Sequence, residues 1–209
     1  YVDNTPPPTT DSGTDTNWHN ANVSVTLTCN DGTGAGCDTT LYCVDQAGNC
    51  TPNTIYTAPL VVSSEGIDYV RFRSNDTVAN LESTKNATNT VKIDKTKPVA
   101  NAGADKVVNE GALVNFNGNS STDAPSGIAS YSWDFDASNG IQVNATGVTN
   151  STTYNANRTY VVTLTVTDNA GNTNSDNLTV TVQDLSPTAN FTFTPTTPRE
   201  NNNTQVLDP

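Results

Sequence analysis

The segment Thr159–Asn172, TYVVTLTVTDNAGN, alternates apolar and polar residues and then turns on Asp, Asn and Gly. A period of two puts Tyr160, Val162, Leu164 and Val166 on one face of a strand and Thr163, Thr165 and Thr167 on the other. The segment IASYSWDFDASNG (Ile128–Gly140) repeats the design, with Tyr131, Trp133 and Phe135 opposite Ser130, Ser132 and Asp134; Leu178, Val180 and Val182 make a third strand. A helix cannot use this pattern, whereas a sheet wet on one face needs only every second residue to be apolar. The expected fold is therefore all-β, built of antiparallel sandwiches. Trp133, Tyr131, Leu164 and Val166 are the expected core of one of them, each contributing roughly 1.5–3 kcal/mol on burial.

The first half reads the same way. Val23, Val25 and Leu27 alternate with Ser24, Thr26 and Thr28, Val70 and Phe72 with Arg71 and Arg73, and Val91 and Ile93 with Thr90 and Lys92. Turn signals at Asp31-Gly32, Ala47-Gly48-Asn49 and Glu65-Gly66 separate the strands. At 209 residues the chain holds two such domains. The expected organisation is an exit or linker from a preceding module at 1–7, one sandwich at 8–97, a second at 98–184, and the start of a truncated third at 185–209. The linker Asp94–Pro98 is short and ends in proline, so tandem Ig-like sandwiches in an extended rod are expected.

The four cysteines, Cys29, Cys37, Cys43 and Cys50, lack the paired CxxC steps of a zinc site. Of three disulfide connectivities, Cys29–Cys37 and Cys43–Cys50 are favoured, because CNDGTGAGC is a loop its own ends can staple and CVDQAGNC reads as a hairpin. Stapled loops imply an oxidising, extracellular setting. Asn-x-Ser/Thr sequons at Asn22, Asn49, Asn75, Asn86, Asn119, Asn144, Asn150, Asn157, Asn177, Asn190 and Asn202 are candidate glycosylation sites, in mild excess over the roughly seven that composition yields.

A net charge of −12 would repel a phosphate backbone, which excludes nucleic acid as a partner. The only histidine, His19, has no nucleophile suggested beside it, so no enzyme activity is expected. Of the 21 acids 17 are Asp, residues of turns and of calcium sites. Asp134 and Asp136 leave one face at the end of a strand, where they are candidate calcium ligands, and Asp94 would add a group if the domains pack closely. Calcium is the one cofactor the sequence offers a place for, the alternative being a solvated turn in which Asp134 caps backbone amides.

Residues from about 98 to 184 resemble a PKD (polycystic kidney disease) domain. VANAGADKVVNEGALVNFNGNSSTD, SYSWDF and VTLTVTDNAGN…LTVTV fall in family order, while the usual FGDG turn reads FDASNG. Residues from about 8 to 95 resemble the Ig-like domains of bacterial and archaeal surface proteins, of the chitobiase C-terminal type, through VSVTLTC, TTLYCVDQAGNC, EGIDYVRFRSND and VKIDKTKP. The resemblances imply arrays on cell surfaces, in archaeal surface-layer proteins or beside secreted hydrolases.

Val2-Asp3-Asn4-Thr5 echoes Ile93-Asp94-Lys95-Thr96, and the last 25 residues echo the opening of the PKD-like segment, so the chain reads as a window onto an array. The expected role is a non-catalytic segment of an extracellular stalk, surface layer, adhesin or filament. Its partners would be neighbouring sandwich modules, other copies of itself, or cell-surface proteins and glycans. The alternative is an accessory module of a secreted hydrolase that binds substrate or carbohydrate.

Overall fold

A computed structural model describes residues 2–185 of the chain. The third module expected at 185–209, apart from its first residue, lies outside the described residues, as do Asn190 and Asn202.

The first sandwich is made of nine strands: β1 (Thr9–Ser12), β2 (Trp18–His19), β3 (Val23–Cys29), β4 (Cys37–Asp45), β5 (Thr54–Ile55), β6 (Leu60–Val62), β7 (Gly66–Asp76), β8 (Lys85–Asn86) and β9 (Val91–Ile93). One sheet runs β1-β3-β6; the other runs β2-β9-β7-β4-β5, with β8 also on β7. The alternating residues of β3 and β7 meet between them, and Val25, Leu27, Leu60, Val62, Val70, Phe72, Val91 and Ile93 form the core. Disulfides close Cys29 on Cys37 and Cys43 on Cys50, with Cα atoms 6.2 Å apart in both.

The second sandwich follows with β10 (Lys106–Asn109), β11 (Leu113–Asn117), β12 (Ile128–Asp134), β13 (Ala145–Thr146), β14 (Thr149–Thr153), β15 (Thr159–Asp168) and β16 (Thr173–Gln183). A five-stranded sheet, β10-β16-β15-β12-β13, faces the two-stranded pair β11-β14. Trp133 is 0% exposed and packs on Phe116 at 5.5 Å between ring centres, while Leu164 and Val166 are also fully buried. Tyr131 and Phe135, from the same face of the strand, are only partly buried and line the edge of this cluster. Gly118 lies against this core so closely that a Cβ there would come 3.0 Å from Leu164.

The pattern differs from simple expectation at two places. The edge pairs β2–β9 and β10–β16 are parallel, because in each case an early segment lies along the last strand of its own sandwich. Thr163 is buried despite its position among outward threonines, whereas Thr165 and Thr167 on the same face of β15 are half-buried.

Candidate functional site at the junction of the two sandwiches

The junction is built from local turns that have polar side chains as their scaffolding. Asp168 ends β15, and its Oδ1 accepts hydrogen bonds from the backbone N–H groups of Ala170 and Asn172, both at 2.8 Å. Gly171 has φ 88°, the left-handed geometry that lets the chain double back here. The turn is thereby fixed with Asn172 pointing out of it. Asn172 Nδ2 donates to Asp168 Oδ2 at 2.8 Å, to the carbonyl of Asp94 at 2.9 Å and to that of Thr96 at 3.2 Å. The linker is thus held by a side chain of the following domain.

Asp94 follows β9 directly and is 0% exposed. Its Oδ1 accepts from Thr96 N and its Oδ2 from Ser126 N, each at 3.0 Å. Further along, Asn174 Nδ2 donates to the carbonyl of Pro98 at 2.9 Å, and Val99 bridges to Thr122. Asp123 completes the group from the loop before β12. Its Oδ2 accepts from Gly127 N at 2.8 Å and from Ser126 Oγ at 3.2 Å, whereas Oδ1 is shielded from solvent and has no hydrogen-bond partner.

Carboxylate oxygens of Asp94, Asp123 and Asp168 converge to within 4.8 Å of one another. Burial, then the charge of Asp94 and more weakly that of Asp168, raises the Asp123 carboxyl above the ordinary aspartate range. No ion pair among the described residues involves these three acids.

A second set of acids has the same construction at the start of the chain. Asp3 Oδ1 accepts from Thr5 N at 3.0 Å and Oδ2 from Ala35 N at 2.6 Å. Asp76 ends β7; its Oδ1 accepts from Val78 N and Asn80 N, and its Oδ2 from Asn80 Nδ2 at 2.7 Å. Asn80 Nδ2 also donates to the carbonyl of Asp3 at 3.1 Å. Asp31 Oδ2 accepts from Gly36 N at 2.6 Å, and Asp3, Asp31 and Asp76 converge within 4.8 Å. Ala79, the counterpart of Gly171, has φ 71°, an uncommon value for a residue with a Cβ.

The residues expected to bind calcium are engaged differently. Asp134 Oδ1 accepts from Asp136 N and Oδ2 from Gln142 N, each at 2.9 Å. Asp136 accepts from Ser138 and forms an ion pair with Arg158, and the Ser138 hydroxyl and the Arg158 charge hold its carboxyl below the ordinary range. The turn after Trp133 is therefore closed by its own backbone and by Arg158, while Asp94 turns toward Asp123 and Asp168. The signal for the junction was present in the paired phrases Asp76-x-x-x-Asn80 and Asp168-x-x-x-Asn172, and in Asp3-x-Thr5 and Asp94-x-Thr96. No short-range pattern marks Asp31 or Asp123 as their partners.

His19 contacts Asp15 at 3.0 Å. Among the sequons, Asn22, Asn49, Asn86, Asn119, Asn144, Asn157 and Asn177 are exposed, and Asn75 and Asn150 half-buried. No helix among the described residues is long and apolar enough to cross a membrane.

Two sandwiches in series, with the joint stitched by side chains, define a tandem β-sandwich protein of Ig-like character. A family model described as PKD domain matches residues 95–182. The chain is similar to the PKD1 domain of Epp from Vibrio anguillarum at 31% identity; the match spans 43% of this chain and 98% of that one, with a TM-score of 0.35. It is also similar to the PKD domain of KIAA 1837 protein at 28% identity, over 47% of this chain and 98% of that one, with a TM-score of 0.37. Mouse cadherin-23 EC22-24 aligns at 14% identity over 86% of this chain and 65% of that one, with a TM-score of 0.33. Comparison with curated proteins gives no match. The chain belongs to the PKD family through residues 95–182.

Proposed function

We propose that this chain is a non-catalytic segment of an extracellular multidomain surface protein, acting as a stiff spacer that presents neighbouring modules and takes part in contacts with proteins or the cell surface. PKD domains are typically structural modules of extracellular proteins, and the stapled loops and exposed sequons suit that setting. In this reading the first sandwich is an Ig-like surface domain of the chitobiase C-terminal type, and its partners are the modules on either side. The observation that carries the proposal is the grip of Asn172 on the carbonyls of Asp94 and Thr96, reinforced by Ser126 N on Asp94. A linker hydrogen-bonded along its length to the next domain transmits orientation, whereas a free linker does not.

The carbohydrate-binding alternative needs a row of exposed aromatic rings. Among the described residues every aromatic side chain is buried or half-buried; Tyr42, for example, packs edge-on against Tyr56. Backbone ¹⁵N relaxation of the full chain tests the spacer reading: both sandwiches should tumble as one elongated body. Separate rotational correlation times for the two halves would remove the basis of the proposal.

A further inference from the structure

The few cations of this chain are unevenly placed. Of its nine Lys and Arg, six lie in residues 8–97 and two in 98–184, where eight acids accompany them. Arg158, one of those two, is already paired with Asp136. The second sandwich is therefore strongly acidic, and the first holds most of the positive charge. Arg71 and Arg73 stand two apart on β7 and so leave the same face of the sheet. Val70, Phe72 and Ser74 alternate with them and are buried, which puts the arginines on the outer face, away from β1-β3-β6.

Neither arginine meets a carboxylate, for the three ion pairs among the described residues leave both out. Arg71 donates once, from Nη1 to the Cys50 carbonyl at 2.6 Å, and Arg73 donates to no acceptor among the described residues. The Nε of each is shielded from solvent and has no hydrogen-bond partner. Asp45, opposite Tyr69 on the neighbouring strand, is already engaged by the backbone N–H groups of Gly48, Asn49 and Cys50. A guanidinium presents five donors in a fork that fits a carboxylate, so this pair is left to a carboxylate from outside. The surface beside it is apolar. Leu41 lies in register with Arg73 and, beyond it, Ile55, which is 62% exposed; Leu81, opposite Asn75, is 52% exposed. Arginine among exposed aliphatic side chains is the composition of a protein interface. A sugar chain favours exposed rings, and the described residues have none.

We propose that this face of the first sandwich docks the acidic second sandwich of another copy of the chain, whose carboxylates pair with Arg71 and Arg73. The outer face of the five-stranded sheet is complementary in both respects: it exposes Val107 at 66%, with Val161 on the same face and Asp105 exposed two residues before Val107. The two patches differ, so the contact is heterologous and passes from copy to copy. The inference deepens the surface-protein reading and rests on it for the setting in which copies stand side by side, though not for the contact itself. Copies held on one surface meet at high effective concentration, which suits a contact that is weak in solution.

The test is sedimentation velocity of the full chain from micromolar to millimolar concentration, in low and in high salt. The protein comes from a host that adds no N-glycans, since Asn86 stands opposite Arg71 and a glycan there would cover the face. Association that grows with concentration is expected at low salt, weakening as salt screens the pairs. R73Q removes a charge that has no partner within the chain and should weaken association about tenfold, the loss of one strong interface contact. R71Q/R73Q should weaken it further, with circular dichroism checking that both variants are folded. Amide ¹H–¹⁵N spectra of the associating parent should shift in β4 and β7 and also in β10, β15 or β16. A parent that stays monomeric at millimolar concentration and low salt, association that the folded variants leave unchanged, or shifts confined to one sandwich would each overturn the proposal. Retention of a monomeric parent on polygalacturonate, lost in R71Q/R73Q, would overturn it too and assign the face to an acidic polysaccharide. The ¹⁵N relaxation of dilute, monomeric chain reports on the spacer reading separately: one rigid body would leave that reading standing even if no association is found.

Discussion

Asn172 donates its side-chain amide to the backbone carbonyl of Asp94 at 2.9 Å, so a residue in the second sandwich holds the last turn of the first. Asn80 does the same for Asp3 at 3.1 Å. In both, the Asn is positioned by a carboxylate four residues before it, and a short turn motif thereby becomes a clamp on the incoming chain.

Replacing Asn172 with Ala removes the donors for two linker carbonyls and one link to Asp168. The second sandwich should lose about 1–2 kcal/mol. The larger effect should fall on orientation: in ¹⁵N relaxation the two halves of the variant should show distinct correlation times.

Trp133 fills the centre of the second core and donates its Nε1–H to the carbonyl of Gly147 at 3.0 Å. Trp133→Ala should cost that domain about 3–5 kcal/mol. Urea unfolding should then resolve into two transitions, with the first sandwich unchanged because its core is a separate cluster.

The Cys43–Cys50 bridge closes the turn that carries Cys50, whose carbonyl accepts from the Arg71 guanidinium at 2.6 Å. Changing both cysteines to Ala should destabilise the first sandwich by about 2–3 kcal/mol through the entropy of an unclosed loop. Thermal unfolding under non-reducing conditions measures it, and the second sandwich should be unaffected.

Asp68 is buried on β7 with the Ser64 hydroxyl as its hydrogen-bond donor, and burial, aided by the charge of Asp45, raises its carboxyl above the ordinary range despite that bond. A folded pKa above the unfolded one means the folded state holds its proton more tightly. The contribution is full below the unfolded value, about pH 4, and is lost as pH rises through the folded one. Asp68→Asn should therefore raise the urea midpoint of the first sandwich at pH 7, with the gain shrinking as the pH is lowered toward 4.

Much of the fold was legible because period-two alternation is a local statement. The burial of Val162, Leu164 and Val166 follows from their spacing, and so do the short loops closed by Cys29–Cys37 and Cys43–Cys50. The site was legible only in pieces. Asp134 and Asp136 are two apart on a strand end, which is a local reason to pair them, and the structure adds what spacing does not show: the backbone N–H groups of Asp136 and Gln142 and the distant Arg158 engage their oxygens. The Asp-x-x-x-Asn turns, by contrast, are complete within five residues, and their capping geometry could have been read directly.

The sequence by itself determined which residues face inward, where the strands turn and which cysteines lie close enough to bridge, because each of these depends on neighbours a few residues away. The meeting of Asp94, Asp123 and Asp168 was decided only by the tertiary structure. These three belong to a linker, a loop and a strand end that share no local pattern, and their carboxylates approach within 4.8 Å only after two sheets have packed and the second domain has closed on the exit of the first.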